Sequence, residues 1–220
     1  MKIKSILSAL LLMVSTVASA QYLNVKMEDG TYRSFKTTPN MKVTFGEKKE
    51  EVGTINGHAY VELAGYKWAT ENVANYEKGL TVIAADPTYG LYYAQEVSHV
   101  ECAKQAAESW GSTWKLPTEA QWTALFDENN CTWEWQTRYS FNGKTMNGYI
   151  VSDKNDASKF IFLPAAGIYD DNKSHEFNNL GNFGYYWSTD YSKSLFFNAG
   201  YRGMGGSHPN DGMAVRPVSE

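Results

Sequence analysis

Histidine, cysteine and acidic side chains are the groups in this chain whose types could carry covalent or metal chemistry. The four histidines have no serine or cysteine nucleophile beside them in a recognised arrangement; they are His58, His99, His175 and His208. The sequence has no H-E-x-x-H motif, no phosphate-binding G-x-x-x-x-G-K-[ST] loop and no G-x-G-x-x-G turn between a strand and a helix. We therefore interpret the histidines as surface or turn residues and predict a protein that is not an enzyme.

Asp170 and Asp171, followed by Asn172, are the acidic residues that could hold a hard cation such as calcium, which prefers oxygen ligands. The same three residues also make a plain surface turn, and we favour that interpretation. No cofactor is predicted, and calcium stays an open alternative without assigned ligands.

The two cysteines, Cys102 and Cys131, leave two alternatives open. In an exported protein the pair could form one disulfide. Free cysteines are also among the most buried residue types, so two buried thiols are the other alternative. Neither cysteine has a second cysteine or a histidine at ligand spacing, which argues against a zinc site.

The C-terminal region has the composition of an adaptable binding surface. Tyrosine, serine, glycine and asparagine dominate residues 169–211, and such a mixture combines rigid aromatic area with versatile hydrogen bonding. The alternative is that these are ordinary loop residues, and we interpret the glycines at 203–206 as a flexible loop. The residues predicted to contact a ligand are Tyr169, Asn178, Asn182, Tyr191, Asn198, Tyr201 and Arg202.

Four tryptophans are predicted to lie in the core rather than on a ligand surface: Trp68, Trp114, Trp122 and Trp187. Trp122 supports this because it shares a helix face with Leu125 and Phe126 at helical spacing. Arg216 is predicted either to form a buried ion pair or to face solvent.

The N-terminus has the pattern of a secretory signal peptide. Two lysines precede an apolar run at 6–14, and Ala18-Ser19-Ala20 matches a cleavage site, so the mature chain would start at Gln21. An uncleaved anchor helix is the alternative. In the mature chain no segment approaches the roughly 20 apolar residues of a spanning helix, so we expect an exported protein at the cell surface, in the periplasm or outside the cell.

The charge distribution disfavours nucleic-acid binding. The net charge is −4, and lysines and arginines are scattered instead of forming a basic stripe. Aromatic residues make up 15% of the chain, which suits both a sizeable core and flat contact surfaces. A glycan or a surface protein is therefore the expected partner.

The chain divides into a signal peptide at 1–20, a small β block at 21–46, a linker at 47–53 and a main domain at 54–220. The block is predicted to hold three strands, with a hairpin turn at Asp29-Gly30 and the third strand at 41–45. In the main domain one helix is predicted at 98–110, and a second begins at Thr118, which forms a capping box with Gln121.

The second half of the main domain is predicted to consist of short strands, at 149–151, 160–163, 185–188, 195–198 and 213–217. Asn142-Gly143 and Asn147-Gly148 are interpreted as turns between strands. Helices followed by many short strands indicate an α+β fold and not a parallel α/β sheet.

Six motifs in this order resemble the Fibrobacter succinogenes major paralogous domain family. The resemblance covers about residues 54–218, and its motifs are WATENV at 68–73, YGLYY at 89–93, WKLPTEAQW at 114–122, FLPAAG at 162–167, GYYWS at 184–188 and AVRPV at 214–218. The resemblance implies a branch of the formylglycine-generating-enzyme fold, itself a variant of the C-type-lectin fold, with long irregular loops and an exported location. It also implies that the N-terminal block is a small appendage of a surface protein.

Two departures limit what the resemblance carries over. The oxidase branch of that fold uses two late cysteines, and this chain has no cysteine after Cys131. The motifs of calcium-dependent sugar binding in C-type lectins are also missing, and the His208–Asp211 segment is too superficial a likeness to assign calcium.

The sequence thus predicts an exported, non-catalytic binding module that recognises a glycan or a protein through its C-terminal loops. Two alternatives stay open: a structural or adhesive subunit of a cell-envelope assembly, and a carbohydrate-active or degenerate oxidase-like enzyme.

Overall fold

The chain forms two compact units, residues 1–47 and 48–220. The computed structural model describes residues 22–26, 32–36, 52–74, 82–86, 90–93, 99–141, 144–170, 176–190, 192–206 and 211–220.

The first unit contains an antiparallel strand pair. Strand β1 (Tyr22–Lys26) and strand β2 (Tyr32–Lys36) pair so that Tyr22 lies opposite Lys36. This pairing agrees with the predicted hairpin. The turn residues 29–30 and the third strand predicted at 41–45 lie outside the described residues.

The second unit begins with a four-stranded antiparallel sheet, which contains both the first and the last strand of that unit. Two-residue turns with positive φ at both positions, Asn56-Gly57 and Ala64-Gly65, connect its first three strands, as the right-handed twist of hairpins favours. The last strand of the chain pairs with the third, with Val218 opposite Trp68. The strands are β3 (Gly53–Ile55), β4 (His58–Leu63), β5 (Tyr66–Ala69) and β16 (Val218–Ser219).

A hairpin and two helices follow. Strands β6 (Val82–Asp86) and β7 (Gly90–Tyr93) pair antiparallel. Helix α1 (His99–Glu108) lies within the predicted span of 98–110, and it buries the side chains of Cys102, Ala103, Ala106 and Ala107.

Helix α2 (Glu119–Ala124) begins where the capping box predicts. The Thr118 hydroxyl accepts a hydrogen bond from the Gln121 backbone N–H at 3.1 Å, and Gln121 Oε1 accepts one from the Thr118 backbone N–H at 2.9 Å. Trp122 and Leu125 are fully buried on one face. The local signal was sufficient because both partners lie within one turn.

A meander of three antiparallel strands comes next: β8 (Cys131–Phe141), β9 (Lys144–Asp153) and β10 (Phe160–Pro164). The turn predicted at Asn147-Gly148 is wrong, because both residues lie inside β9. A Cβ at Gly148 would come within 2.2 Å of the Leu163 carbonyl oxygen, so this glycine permits a close approach of two strands.

The last strands are short and antiparallel. Strands β11 (Ile168–Asp170) and β12 (Glu176–Asn178) form one pair. Strands β13 (Phe183–Trp187), β14 (Lys193–Asn198) and β15 (Tyr201–Gly206) form a second sheet, here called the platform sheet. The flexible loop predicted at 203–206 is wrong, since these residues pair with β14 along 193–196.

Two hydrophobic cores lie on opposite faces of the platform sheet. Tyr186 belongs to the larger core with Trp68 and Trp122, whereas its neighbour Trp187 belongs to the core under α1. Successive side chains of a strand point to opposite faces, so β13 serves both cores. The four tryptophans predicted for the core are all fully buried.

The architecture is mixed and rich in strands, with two helices among the described residues, and is compatible with the predicted α+β class. None of the helices in the described part of the chain is long and apolar enough to cross a membrane.

Candidate functional site

The face of the platform sheet opposite to the larger core, called the outer face, packs against the core under α1 at Trp187 and also carries a group of part-exposed aromatic rings. The register places Phe183 opposite Asn198 and Tyr185 opposite Phe196, while Tyr201 lies opposite Asn198 on the other side. Alternation then directs these side chains away from the larger core, which takes the intervening residues. We call the four rings of Phe183, Tyr185, Phe196 and Tyr201 the aromatic platform.

The rings of the aromatic platform touch one another, with Phe196 at the centre. Phe196 stacks on Phe183 with ring centroids 5.6 Å apart and planes 18° apart. Its centroid lies 5.1 Å from that of Tyr185 and 5.6 Å from that of Tyr201. Such contacts hold aromatic side chains in fixed orientations, so the platform is a preformed surface.

Tyr201 has the most exposed ring of the platform. Its phenol group lies over Gly203, where an added Cβ would meet the hydroxyl oxygen at 2.6 Å and the adjoining ring carbon at 3.1 Å. The ring therefore rests on bare backbone, and 52% of the residue is exposed to solvent. Because Gly203 has no side chain, the hydroxyl end of the Tyr201 ring can lie close to the sheet while half of the residue stays open to solvent.

Polar groups border the aromatic platform. Asn198 Oδ1 accepts a hydrogen bond from the Gly200 backbone N–H at 2.9 Å, which orders the turn between β14 and β15. Burial raises the pKa of the Tyr185 hydroxyl, a hydrogen bond with the Asn179 side chain partly offsets this rise, and the carboxylate of Asp211 adds to it. The Tyr185 hydroxyl is therefore neutral at physiological pH and is hydrogen-bonded to the Asn179 side chain.

The exposed large apolar side chains of the described residues lie near the same end of the platform sheet. Phe177 and Leu180 are 39% and 49% exposed, and the short turn at 179–182 leads directly into Phe183. This turn is fixed by Asn147, whose Nδ2 donates to the Gly181 carbonyl at 2.9 Å. Clustered apolar exposure of this kind marks a contact surface better than isolated residues do.

The structure brings some of the predicted ligand residues together and separates others. Asn198 and Tyr201 are neighbours on the outer face, and Asn182 is exposed in the turn before Phe183. Tyr169 and Asn178 lie in the pair β11–β12, where Tyr169 packs against Phe177 with centroids 5.2 Å apart.

Arg202 and Tyr191 are two of the predicted ligand residues that the structure does not place on the aromatic platform. Arg202 follows Tyr201 in the same strand and points to the opposite face, where its Cζ atom lies 5.5 Å from the centre of the Trp133 ring. That face belongs to the larger core, so the prediction that Arg202 and Tyr201 form one site is wrong. Tyr191 lies outside the described residues.

Sequence reasoning did not select three of the four platform residues: Phe183, Tyr185 and Phe196. The stretch Phe183-Gly184-Tyr185-Tyr186-Trp187 contains the signal, since every second residue shares a face. That pattern alone does not say which face is covered by a core, because aromatic residues occupy both.

Arg216 is fully buried, so the alternative of a solvent-facing arginine is wrong. Its Nε atom donates to Asn72 Oδ1 at 2.7 Å, and its terminal nitrogens donate to the carbonyls of Ala69 and Phe162, both at 2.8 Å. Burial lowers the pKa of Arg216 to about 10, with Tyr186 and the charge of Glu71 opposing this change. The guanidinium is therefore still a cation at neutral pH, held by neutral oxygens in these three hydrogen bonds.

The two cysteines are free, buried thiols in different cores. The structure thus has the second of the two predicted alternatives and not the disulfide. Burial raises the pKa of Cys131 to about 11, and the carboxylates of Asp153 and Asp127 contribute. Burial also raises the pKa of Cys102, with Glu101 adding to the effect. Both thiols are protonated and unreactive at neutral pH.

Among the described residues, no group of three or more histidine, cysteine or acidic side chains could hold a metal ion. The predicted calcium alternative falls on residues 170–172, whose side chains lie outside the described ones. A cleft of about 540 Å³ beside α1 is lined by hydroxyl, charged and aliphatic side chains without an aromatic ring.

No protein-family model, curated protein or solved structure matches this chain. Function is therefore inferred from the chain's own residues.

Proposed function

We propose that this chain is an exported, non-catalytic binding module that recognises a glycan through the aromatic platform. The observation that carries this proposal is the Tyr201 ring, whose hydroxyl end lies over Gly203 with half of the residue open to solvent. The ring is backed by Phe196, so its position is set before any ligand arrives.

A sugar suits this surface chemically. Pyranose rings have a face of C–H groups that packs against an aromatic ring, and hydroxyl groups at the edge that need hydrogen-bond partners. The platform offers aromatic rings to the C–H face of the sugar. It also offers hydrogen-bond donors and acceptors to the hydroxyl groups, because Asn198 and Asn182 lie beside the rings and carry side-chain amides.

The small size of the exposed apolar area favours a glycan over a folded protein partner. A stable protein interface buries roughly 800 Å² on each side and has a well-packed apolar centre. The large exposed apolar side chains of the described residues are Phe177, Leu180 and Tyr201, which suffice for a few sugar units. A protein partner is accordingly the second outcome of the test below.

Export is proposed from the N-terminal pattern of two lysines, an apolar run and Ala18-Ser19-Ala20. A surface or extracellular location would expose the platform to polysaccharides.

We also propose that residues 54–218 form a Fibrobacter succinogenes major paralogous domain with the formylglycine-generating-enzyme-like, C-type-lectin-like fold. The contacts of Arg216 support this proposal. Arg216 belongs to one motif and bonds to residues of two others, Ala69 and Asn72 in the first and Phe162 in the fourth. Tyr186, from a further motif, donates its hydroxyl to the Pro164 carbonyl at 2.8 Å.

The test is a glycan-array screen of residues 21–220, carried out with calcium and then with a chelator. We expect specific hits that survive chelation, and we expect Tyr201→Ala to weaken binding by about tenfold, corresponding to about 1.4 kcal/mol. Tyr60→Ala is the matched control, because Tyr60 also lies over a glycine, Gly53, but in another sheet.

Hits that vanish with chelator would show a metal-dependent lectin and contradict the platform as the whole site. A blank array from folded protein would overturn glycan binding. A pull-down from envelope extracts would then examine the alternative of an assembly subunit, and turnover of a glycan without retention would favour the enzyme alternative.

A further inference from the structure

The outer face of the platform sheet is uncharged at every described position. Its side chains are aromatic, amide or hydroxyl groups, and glycine occupies the two positions after Tyr201 on this face, 203 and 205. A ligand on the platform therefore meets rings, backbone and neutral polar groups.

Strand alternation places both cations of this sheet on the other face. Arg202 lies over Trp133, with its charge also close enough to Tyr149 to lower the pKa of that hydroxyl against the effect of burial. Lys193 lies 3.9 Å from the carboxylate of Glu119 in α2. Both cations therefore contact groups on the face opposite to the platform.

Among the described residues, a carboxylate lies near the border of the platform. Asp211 precedes Gly212, which exchanges two backbone hydrogen bonds with Tyr169, and Ala214 bonds to the Tyr185 carbonyl at 3.0 Å. This run of chain pairs with the edge of β13 that does not pair with β14, and the Asp211 carboxylate is close enough to raise the pKa of the Tyr185 hydroxyl. Among the described residues, the outer face itself carries no cation.

We propose that the aromatic platform selects uncharged or amine-bearing sugar units and excludes anionic ones such as uronic acids and sulfated sugars. This inference rests on the proposed glycan-binding function. An anionic group would lose hydration on the platform and find no counter-charge among the described residues of this face. An ammonium group would instead be favoured by the ring faces.

The experiment compares three forms of one oligosaccharide. The first form is the neutral oligosaccharide with the strongest array signal. The second is the same oligosaccharide oxidised to the uronic acid at C6, and the third carries an amine at C2. With the full chain in calorimetry at low salt, we expect the acid to bind at least about tenfold more weakly than the neutral form and the amine to bind within about threefold of it. Affinity for the neutral form should not change with salt, because no ion pair contributes.

Ala199→Lys adds a cation at the border, in the exposed turn between β14 and β15. This variant should strengthen binding of the acid by about threefold or more at low salt and lose the gain at high salt, while Ala199→Gln should behave like the parent chain.

The outcomes separate the two proposals. Equal or tighter binding of the acid, still lost in Tyr201→Ala, would overturn charge selection and leave glycan binding standing. An absence of binding by every form would overturn glycan binding itself, and charge selection with it.

Discussion

The phenol ring of Tyr201 rests on the backbone of Gly203, two residues further along the same strand. A methyl group at Gly203 would lie 2.6 Å from the Tyr201 hydroxyl oxygen, a distance that real side chains do not adopt. Since the contact is with the far end of a side chain, the ring and not the strand would move.

Gly203→Ala is therefore expected to displace the Tyr201 ring and weaken glycan binding by about tenfold, with little change in stability. Binding titration and urea unfolding would measure the two effects. Gly205→Ala is the matched control, because its nearest contact is an ordinary one of 3.8 Å to Phe196 Cβ. Equal binding by both variants would contradict the role given to Gly203 in positioning the Tyr201 ring.

Arg216→Met is expected to destabilise the main domain by about 3–5 kcal/mol. Removal of the guanidinium leaves the carbonyls of Ala69 and Phe162 and the Asn72 amide oxygen buried without their donor. Urea unfolding would measure the loss, and Lys154→Met, at an exposed position, should stay within about 0.5 kcal/mol of the parent chain. A loss as small as that of the control would show that the network is not needed.

The thiols of Cys102 and Cys131 should be unreactive in the native protein and both available after unfolding. Burial raises the pKa of both groups, to about 11 for Cys131, so the thiolate that attacks a disulfide reagent is scarce at pH 8. Thiol titration without reductant should count no thiols in buffer and two in guanidinium. A count of zero in guanidinium would instead show the disulfide.

Because of His58, the domain should be less stable in mild acid than at neutral pH. Its ring stacks on Trp110 with centroids 3.8 Å apart and planes 3° apart, and burial lowers the pKa of His58, with Glu71 partly opposing this. As pH falls through the ordinary value of about 6.5, the unfolded chain takes up a proton before the folded one does, so stability falls and then levels off below the native pKa. In His58→Gln the change in urea midpoint between pH 7.5 and pH 5.5 should be smaller, and an identical change would contradict the assignment.

Local signals in the sequence predicted those elements whose partners are close along the chain. The capping box at Thr118 depends on residues within one turn and is as expected, and Asn56-Gly57 forms a two-residue turn with positive φ at both positions. Asn147-Gly148 has the same turn chemistry, yet the structure uses it differently. There Gly148 admits the Leu163 carbonyl of a neighbouring strand, and such long-range packing has no signature in a short window.

The sequence predicted which residue types make up the candidate site, but not which of these residues lie together on one face. Tyrosine and asparagine content pointed to Asn198 and Tyr201, which do lie side by side. The grouping failed at Arg202, because placing 201–206 in a strand sends adjacent residues to opposite faces. Phe196 was missed since an aromatic residue in a strand gives no sign of whether its face is covered.

Tyr185 belongs both to the aromatic platform and to the layer packed against the core under α1. Its rotamer is consequently fixed when the chain folds, and through Phe196 the same holds for the rest of the platform. A ligand then meets side chains whose conformational entropy has already been lost, so binding carries little ordering cost on the protein side. Affinity should accordingly depend on the ligand's own stiffness, with constrained oligosaccharides held longer than flexible ones of equal composition.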